Sequence, residues 1–381
     1  MRYTAGLWIH GKQKTKAFRR KADAVRWLRE TACEVDSGQY QEFKKTRFSD
    51  WVEEWCKEYL PDKALRTQET YLSIVKLHLL PYFGDRELTS ITFKDLNHFV
   101  KDRRRNGSSH NSALNMLRCL SCIFHDALCE QLVRSNPVKD PRRKRIPKKP
   151  RLQRDALTRD EVRALLEVVE GRDRAMLMVA LLAGLRRGEA MGLEWRDIDF
   201  DGMAIRIERQ CQWCYTREIN PGQGWFLKDP KSEAGKREID MSPVLRRELY
   251  QWHLRCGRPA GEQRVFQSIR DSSRPVTIGT VQLFMQKAVE SASVRSEISY
   301  HWLRHTFGSL KLRQGEDVAY VSKQMGHSSV NVTLDIYCHV IDKSMPAAAA
   351  KTDELLFGDG AITPKKTTIE TLPRLDQPKP I

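Results

Sequence analysis

Between residues 46 and 140 apolar side chains return every three or four positions. Phe48, Trp51/Val52, Trp55 and Tyr59 share one helical face, and so do Tyr71, Ile74/Val75, His78 and Leu79 in a segment that ends at Pro81. Leu96, Phe99 and Val100 mark a shorter third helix. Ala113, Leu117, Leu120, Phe124 and Leu128 mark a longer fourth. Four amphipathic helices of this size can bury a common core, so their aromatic residues are read as core.

The pattern differs on either side. Arg2 to Phe18 shows short extended stretches around the turn signal His10-Gly11, and Ala22 to Val35 then reads as a helix with Ala22, Val25, Trp27/Leu28 and Cys33 on its apolar face. A second large domain begins at Thr158-Arg-Asp-Glu161, a capping box ahead of Val162, Leu165 and Leu166. A buried helix is expected over Ala175–Leu185. Asp201-Gly202 signals a hairpin between Ile198/Phe200 and Ala204/Ile205/Ile207. A further basic hairpin is expected over about 226–241, and helical patterns run on to about 343. The expected fold class is mainly α with small β-sheets (α+β). Expected domains are 1–45 (β-sheet plus helix), 46–140 (helical), a linker 141–157, a mixed, mostly helical domain 158–343, and a tail 344–381. The tail, with five Pro and a run of four Ala, reads as a mobile segment or a partner-docking arm.

Charge narrows the function. Among 381 residues, Lys plus Arg is 66 and Asp plus Glu is 49, a net charge of +17. Such a balance calls for a polyanionic partner, nucleic acid first, an anionic membrane surface second and ribosome-like packing third. The longest strongly apolar run, Met176–Leu185, is broken by Gly184 and followed by Arg186-Arg187, too short to span a bilayer. Lysines and arginines follow the only short apolar patch near the N-terminus, so no signal peptide is expected and the chain is placed in the cytosol. Its nine cysteines are then expected to be reduced. The pairs Cys119/Cys122 and Cys211/Cys214 are too far apart for a zinc ribbon and read as core thiols; no metal or cofactor is expected.

Basic residues gather in two places. Residues 1–45 carry 11 Lys/Arg against 5 Asp/Glu, which suits strands inserted in a DNA groove or a charged hairpin packed on a neighbour. Residues 141–151 contain Arg142, Arg143, Lys144, Arg145, Lys148, Lys149 and Arg151 among three prolines and no acid, a strap suited to lying along phosphates.

Four clusters in 158–343 could carry chemistry. Ala183-Gly-Leu-Arg-Arg-Gly-Glu189 ends an apolar helix on two arginines, which need an anion or carboxylate beside them. Lys231, with Lys236 and Arg237, sits in a turn that could reach DNA, and a lysine held there could protonate a leaving oxygen. His301-Trp-Leu-Arg304-His305 places His and Arg on one helical face, a donor set for a phosphate. Gly326-His327-Ser-Ser is followed by Tyr337, able to attack phosphorus if its proton is removed and the phosphate charge neutralised. Each alone has a structural explanation: an Arg–Glu pair, a solvated tip, a core histidine, a packed tyrosine. Together, without the clustered carboxylates of two-metal nucleases, they suit phosphoryl transfer by electrostatic clamping.

In that order the four clusters resemble the tyrosine recombinases, the phage-integrase family, over about 158–343. Residues 46–140 resemble that family's core-binding domain, and 1–45 resemble the arm-binding domain of phage and mobile-element integrases. Ala183 and Met325 depart from the common Thr and Leu, at positions without chemistry. The resemblance implies that Tyr337 attacks the scissile phosphate to give a 3′-phosphotyrosine and a free 5′-hydroxyl. It implies that Arg186 and Arg304 clamp the non-bridging oxygens and Lys231 is the general acid. His301 becomes a candidate base and phosphate contact, His327 a phosphate hydrogen bond, and Glu189 a support for Arg186. It further implies double-stranded DNA as partner at core and arm sites and a homotetramer on paired sites. Accessory DNA-bending and directionality proteins, no membrane and a bacterial, nucleoid-associated location follow from it too. A chromosome-dimer resolvase and a non-catalytic DNA-binding regulator remain as alternatives.

Overall fold

The computed structural model describes residues 2–9, 11–37, 43–144, 146, 155–216, 219–220, 224–230 and 233–341. Two compact units divide the chain, residues 1–151 with 216–221 and residues 152–215 with 222–381. The expected tail 344–381 lies outside the described residues.

In the first unit, strands β1 (Tyr3–Ile9) and β2 (Lys12–Phe18) form an antiparallel hairpin in register from Tyr3↔Phe18 to Ile9↔Lys12. Helix α1 (Lys21–Asp36) covers it, burying Ala5, Ile9 and Ala24 and bringing Trp27 within 5.9 Å of Phe18. Helix α2 (Phe48–Glu58) buries the stripe Phe48, Trp51, Val52 and Trp55. Two of its indoles also find acceptors, as buried Trp requires: Trp51 Nε1 donates to Ile123 O (3.1 Å) and Trp55 Nε1 to Asp126 (2.6 Å).

Helix α3 (Leu65–Ile74) runs without a break through a π-helical segment, Val75–Leu79, into α4 (Leu80–Phe83). The helix was expected to end at Pro81. Instead the turn widens just ahead of the proline, which has no N–H to give and whose ring crowds the preceding turn. Helix α5 (Phe93–Arg105) starts in a Thr92–Asp95 capping box, and α6 (His110–Cys129) is capped by Ser109 and carries the central core residues Leu120, Ile123 and Phe124. Cys119 is part of this core, and burial pushes its thiol up.

The second unit opens with α7 (Arg159–Glu167), capped as expected: Thr158 N donates to Glu161 and Glu161 N donates to Thr158 Oγ1. Helix α8 (Gly171–Leu182) is buried along nearly its whole length and packs on α10 (Pro243–Arg255) and α12 (Tyr300–Arg313). Helix α9 (Arg187–Gly192) follows the Gly184 turn. Strands β3 (Ile198–Asp199), β4 (Ala204–Ile207) and β7 (Arg237–Asp240) form an antiparallel sheet in that order; β5 (Gln210–Trp213) and β6 (Trp225–Lys228) form a second.

The Asp201-Gly202 hairpin is present, tied by Asp201 N and Gly202 N donating to Asp199. The expected hairpin over 226–241 is not. Residues 225–228 pair with β5 and residues 237–240 with β4, so its two arms belong to different sheets. Helices α11 (Ile278–Ser291), α13 (Val318–Met325) and α14 (Val330–Ile341) complete the unit. Among the described residues no helix is long and apolar enough to cross a membrane.

Candidate active site

The centre is assembled where two helices end. Helix α8 stops at Leu182, and Gly184 turns the chain at φ +64°, a conformation open to glycine. A Cβ at Gly184 would lie 2.5 Å from the Phe307 ring, so this turn can sit flat against α12. Arg186 then caps α9, its backbone N donating to Glu189 Oε2 (2.8 Å). Helix α13 stops at Gly326, which adopts φ +61°.

The last carbonyls of a helix lack partners and carry its negative dipole end. Here three consecutive ones each accept from a different arginine. Arg237 Nε donates to Gln324 O (2.8 Å), Arg304 Nη2 donates to Met325 O, and Arg186 Nη2 donates to Gly326 O (2.7 Å). Arg304 Nη1 also donates to Gly184 O (2.5 Å), tying the two helix ends together.

One buried carboxylate answers the three charges. Glu189, with a side chain 4% exposed, takes Arg186 Nη1 at 2.8 Å and Arg237 at 3.1 and 2.9 Å, and lies 3.9 Å from Arg304. Burial opposes its ionisation, but Arg237, Arg186 and Arg304 outweigh that and hold its carboxyl at about 2. Burial, reinforced by Arg186, lowers Arg304 to about 9. The Arg186 side chain is 37% exposed, against 2% for Arg304 and Arg237. It therefore offers the open edge of the cluster to an anion.

His327 follows the α13 terminus, with Nδ1 2.7 Å from Thr333 Oγ1. Burial first, then Arg304, Arg186 and Arg237, lowers its imidazole to about 3, so it is neutral at ordinary pH. Tyr337, on α14, is 1% exposed and packs with Phe307, Leu312, Val321 and Met325. A Cβ at Gly308 would fall 2.7 Å from the phenol's Cζ and Oη; the missing side chain lets α14 lie close on α12. Burial raises the Tyr337 hydroxyl to about 12, against the lowering pull of Arg304.

The hydroxyl meets His305, not His301: Tyr337 Oη is 3.2 Å from His305 Nδ1. His301, exposed in the first turn of α12, places its ring edge-on at 4.8 Å from that of His305. His305 stands in the cluster read from the sequence but is given no role there; its place four residues after His301 on the same helix face is the signal for one.

The structure thus brings Arg186, Glu189, Arg304, His327 and Tyr337 into one region, with His301 at its edge. Lys231 lies outside the described residues. Lys236 is half-exposed, 3.6 Å from Asp229. Arg237 was expected on a DNA-facing tip and is instead buried. It opens β7, where Glu189, from 48 positions earlier, supplies the countercharge that a solvated turn would not.

Of the basic strap, Arg145, Lys148, Lys149 and Arg151 lie outside the described residues. Arg142 pairs with Asp140 at 2.8 Å and lies over the Phe93 ring at 4.6 Å. Arg143 Nε donates to Val138 O (2.8 Å), and Lys144 N donates to Asn97 Oδ1 (3.0 Å). These contacts tie the start of the strap to the first unit.

The chain is similar to known proteins in sequence and in fold. The model of the Phage integrase family matches residues 155–344, and that of the Phage integrase, N-terminal SAM-like domain matches residues 47–102. The ICEBs1 integrase of Bacillus subtilis (strain 168) is 26% identical over 299 residues, 74% of this chain and 76% of that one. Among solved structures, the Tn1549 transposon integrase in complex with transposon right end DNA has a TM-score of 0.65 at 19% identity, covering 80% of this chain and 98% of that one. A lambda integrase from a tetramer bound to a Holliday junction has a TM-score of 0.57 at 20% identity, covering 86% and 89%. The chain belongs to the phage integrase family, as a site-specific tyrosine recombinase of the phage and mobile-element type.

Proposed function

We propose that this recombinase cuts and rejoins double-stranded DNA through a 3′-phosphotyrosine on Tyr337, integrating and excising a mobile element. One observation carries the reading: two arginines anchored on the same helix end, one bonded to a buried carboxylate that lies 3.9 Å from the other, stand beside a histidine and a tyrosine. In this scheme a non-bridging phosphate oxygen meets Arg186 at the open edge, with Arg304 behind it, where charge grows in the transition state. The Tyr337 oxygen attacks phosphorus, the bond from phosphorus to the 5′-oxygen breaks, and Lys231 gives that oxygen a proton. The phenolic proton passes to an imidazole. His305 is nearest to it in the resting state, and His301 beside it serves as a phosphate contact. His327, neutral, donates one more hydrogen bond to the phosphate. Rejoining runs the same steps backwards with a new 5′-hydroxyl, so the bond energy is kept in the ester.

Because Tyr337 is buried, the side chains packed around its hydroxyl have to shift before a phosphate meets it. The basic strap and Lys236 grip the DNA backbone, and the N-terminal sheet reads separate arm sites. The lambda integrase tetramer on a Holliday junction supports a homotetramer on paired sites here. DNA-bending and directionality proteins complete the assembly in the bacterial nucleoid. A nicked suicide duplex carrying the recombination site tests the reading. Wild type should form a covalent protein–DNA adduct that Tyr337→Phe abolishes, and a Tyr337→Phe protein that still forms it would overturn the proposal.

A further inference from the structure

Arg237 has no open edge. Its Nε donates to Gln324 O, Nη1 to Gly235 O (3.0 Å) and Glu189 Oε1, and Nη2 to Glu189 Oε2, so four of its five side-chain N–H groups are spent on protein acceptors. It is shielded from solvent, and a Cβ at Gly326 would lie 2.6 Å from its Nη1. With one N–H left it has no pair of donors for a phosphate, whereas the equally buried Arg304 gives two of its five to protein carbonyls.

Its place in the cluster is set by what Glu189 needs. Oε1 accepts from Arg186 Nη1 and Arg237 Nη1, and Oε2 accepts from Arg186 N and Arg237 Nη2. Each oxygen of this buried carboxylate is therefore satisfied twice, once by each arginine. Remove Arg237 and each loses a donor, in a site where an unsatisfied charge is costly. The nearest replacement is Arg304, 3.9 Å away. To come within hydrogen-bond distance Arg304 would have to shift toward Glu189 and strain its bonds to Gly184 O and Met325 O, the contacts that fix its position. The same side chain also braces Gln324 O, one residue before the carbonyls that hold Arg304 and Arg186.

We propose that Arg237 is a positioning residue for the phosphate clamp: it saturates Glu189 and braces the end of α13, so that Arg186 and Arg304 keep the separation a phosphate requires. This rests on the reading of Arg186, Arg304 and Tyr337 given above.

The test is single-turnover adduct formation by the full chain on a nicked duplex carrying its recombination site. Arg237→Lys keeps the charge but loses the planar fork. Adduct formation should slow roughly 10- to 100-fold while DNA affinity stays within about twofold, because misplacement by a fraction of an ångström is felt in the transition state. A methylphosphonate at the scissile position removes a charged non-bridging oxygen and asks less of the clamp, so there the deficit should shrink to about threefold or less. A role confined to stability would slow both substrates alike. Wild-type rates in Arg237→Lys, or an equal deficit on both substrates, would overturn the proposal. If Arg237→Lys does not fold, Gly326→Ala decides, since its methyl group displaces the guanidinium without deleting it. The same phosphate-selective deficit is expected, and full activity would overturn the proposal. Failure of the wild type to form any adduct would overturn the underlying reading and this proposal with it, a different result from an active wild type matched by its variants.

Discussion

Replacing Glu189 by Gln removes the one carboxylate among three arginines while nearly preserving its shape. The folded state holds this carboxyl at about 2, against 4.5 for an ordinary glutamate. At about 1.4 kcal/mol for each factor of ten, that gap corresponds to roughly 3 kcal/mol of stability, as an order of magnitude. Because the folded value is the lower one, the stabilisation is complete above pH 4.5 and fades as pH falls from 4.5 toward 2. Breaking a buried pair by removing one partner costs a similar amount, about 3–5 kcal/mol. For a unit of this size, 3 kcal/mol corresponds to a drop of roughly 6–12 °C in melting temperature. Scanning calorimetry of wild type and Glu189→Gln, from pH 7 down to pH 2, measures it. The gap should be widest above pH 4.5 and narrow steadily below it. Equal melting at pH 7, or a gap that does not change with pH, would refute the electrostatic account of the cluster.

Two further outcomes follow from the same region. His327 is held neutral, at about 3 against the usual 6.5, first by burial and then by the arginines. Its contribution to stability is therefore present above pH 6.5 and lost as pH falls toward 3; His327→Gln should flatten the melting curve across that window, and an unchanged slope would count against it. Gly184→Ala forces a side chain into φ +64° and against Phe307. It should cost roughly 2–4 kcal/mol, read as a lower denaturation midpoint, and a wild-type midpoint would contradict the packing described.

Much of this architecture is written locally in the chain. The stripe Phe48, Trp51/Val52 and Trp55, the Thr158–Glu161 box and the Asp201-Gly202 turn depend on neighbours within a few residues, and each appears as read. What escaped the sequence depends on distant partners. Residues 225–228 and 237–240 look like one hairpin because nothing nearby says that β5 and β4 claim them separately. Arg237 looks solvated until Glu189 is folded against it. His301 and His305 lie one turn apart on the same face, and which of them meets Tyr337 is decided by the seat of α14 on α12, where Gly308 leaves room. The π-helical turn before Pro81 likewise follows from keeping Leu79 and Phe83 in the core despite the proline.

The most direct test is chemical identification of the residue that becomes joined to DNA. The adduct from a nicked duplex carrying the recombination site would be digested with nuclease and protease and its peptides sequenced by mass spectrometry. A nucleotide attached to Tyr337 through a 3′-phosphate, with a free 5′-hydroxyl on the released strand, is the expected result. Attachment to any other residue, Tyr320 included, or a 5′-linked phosphate would contradict it.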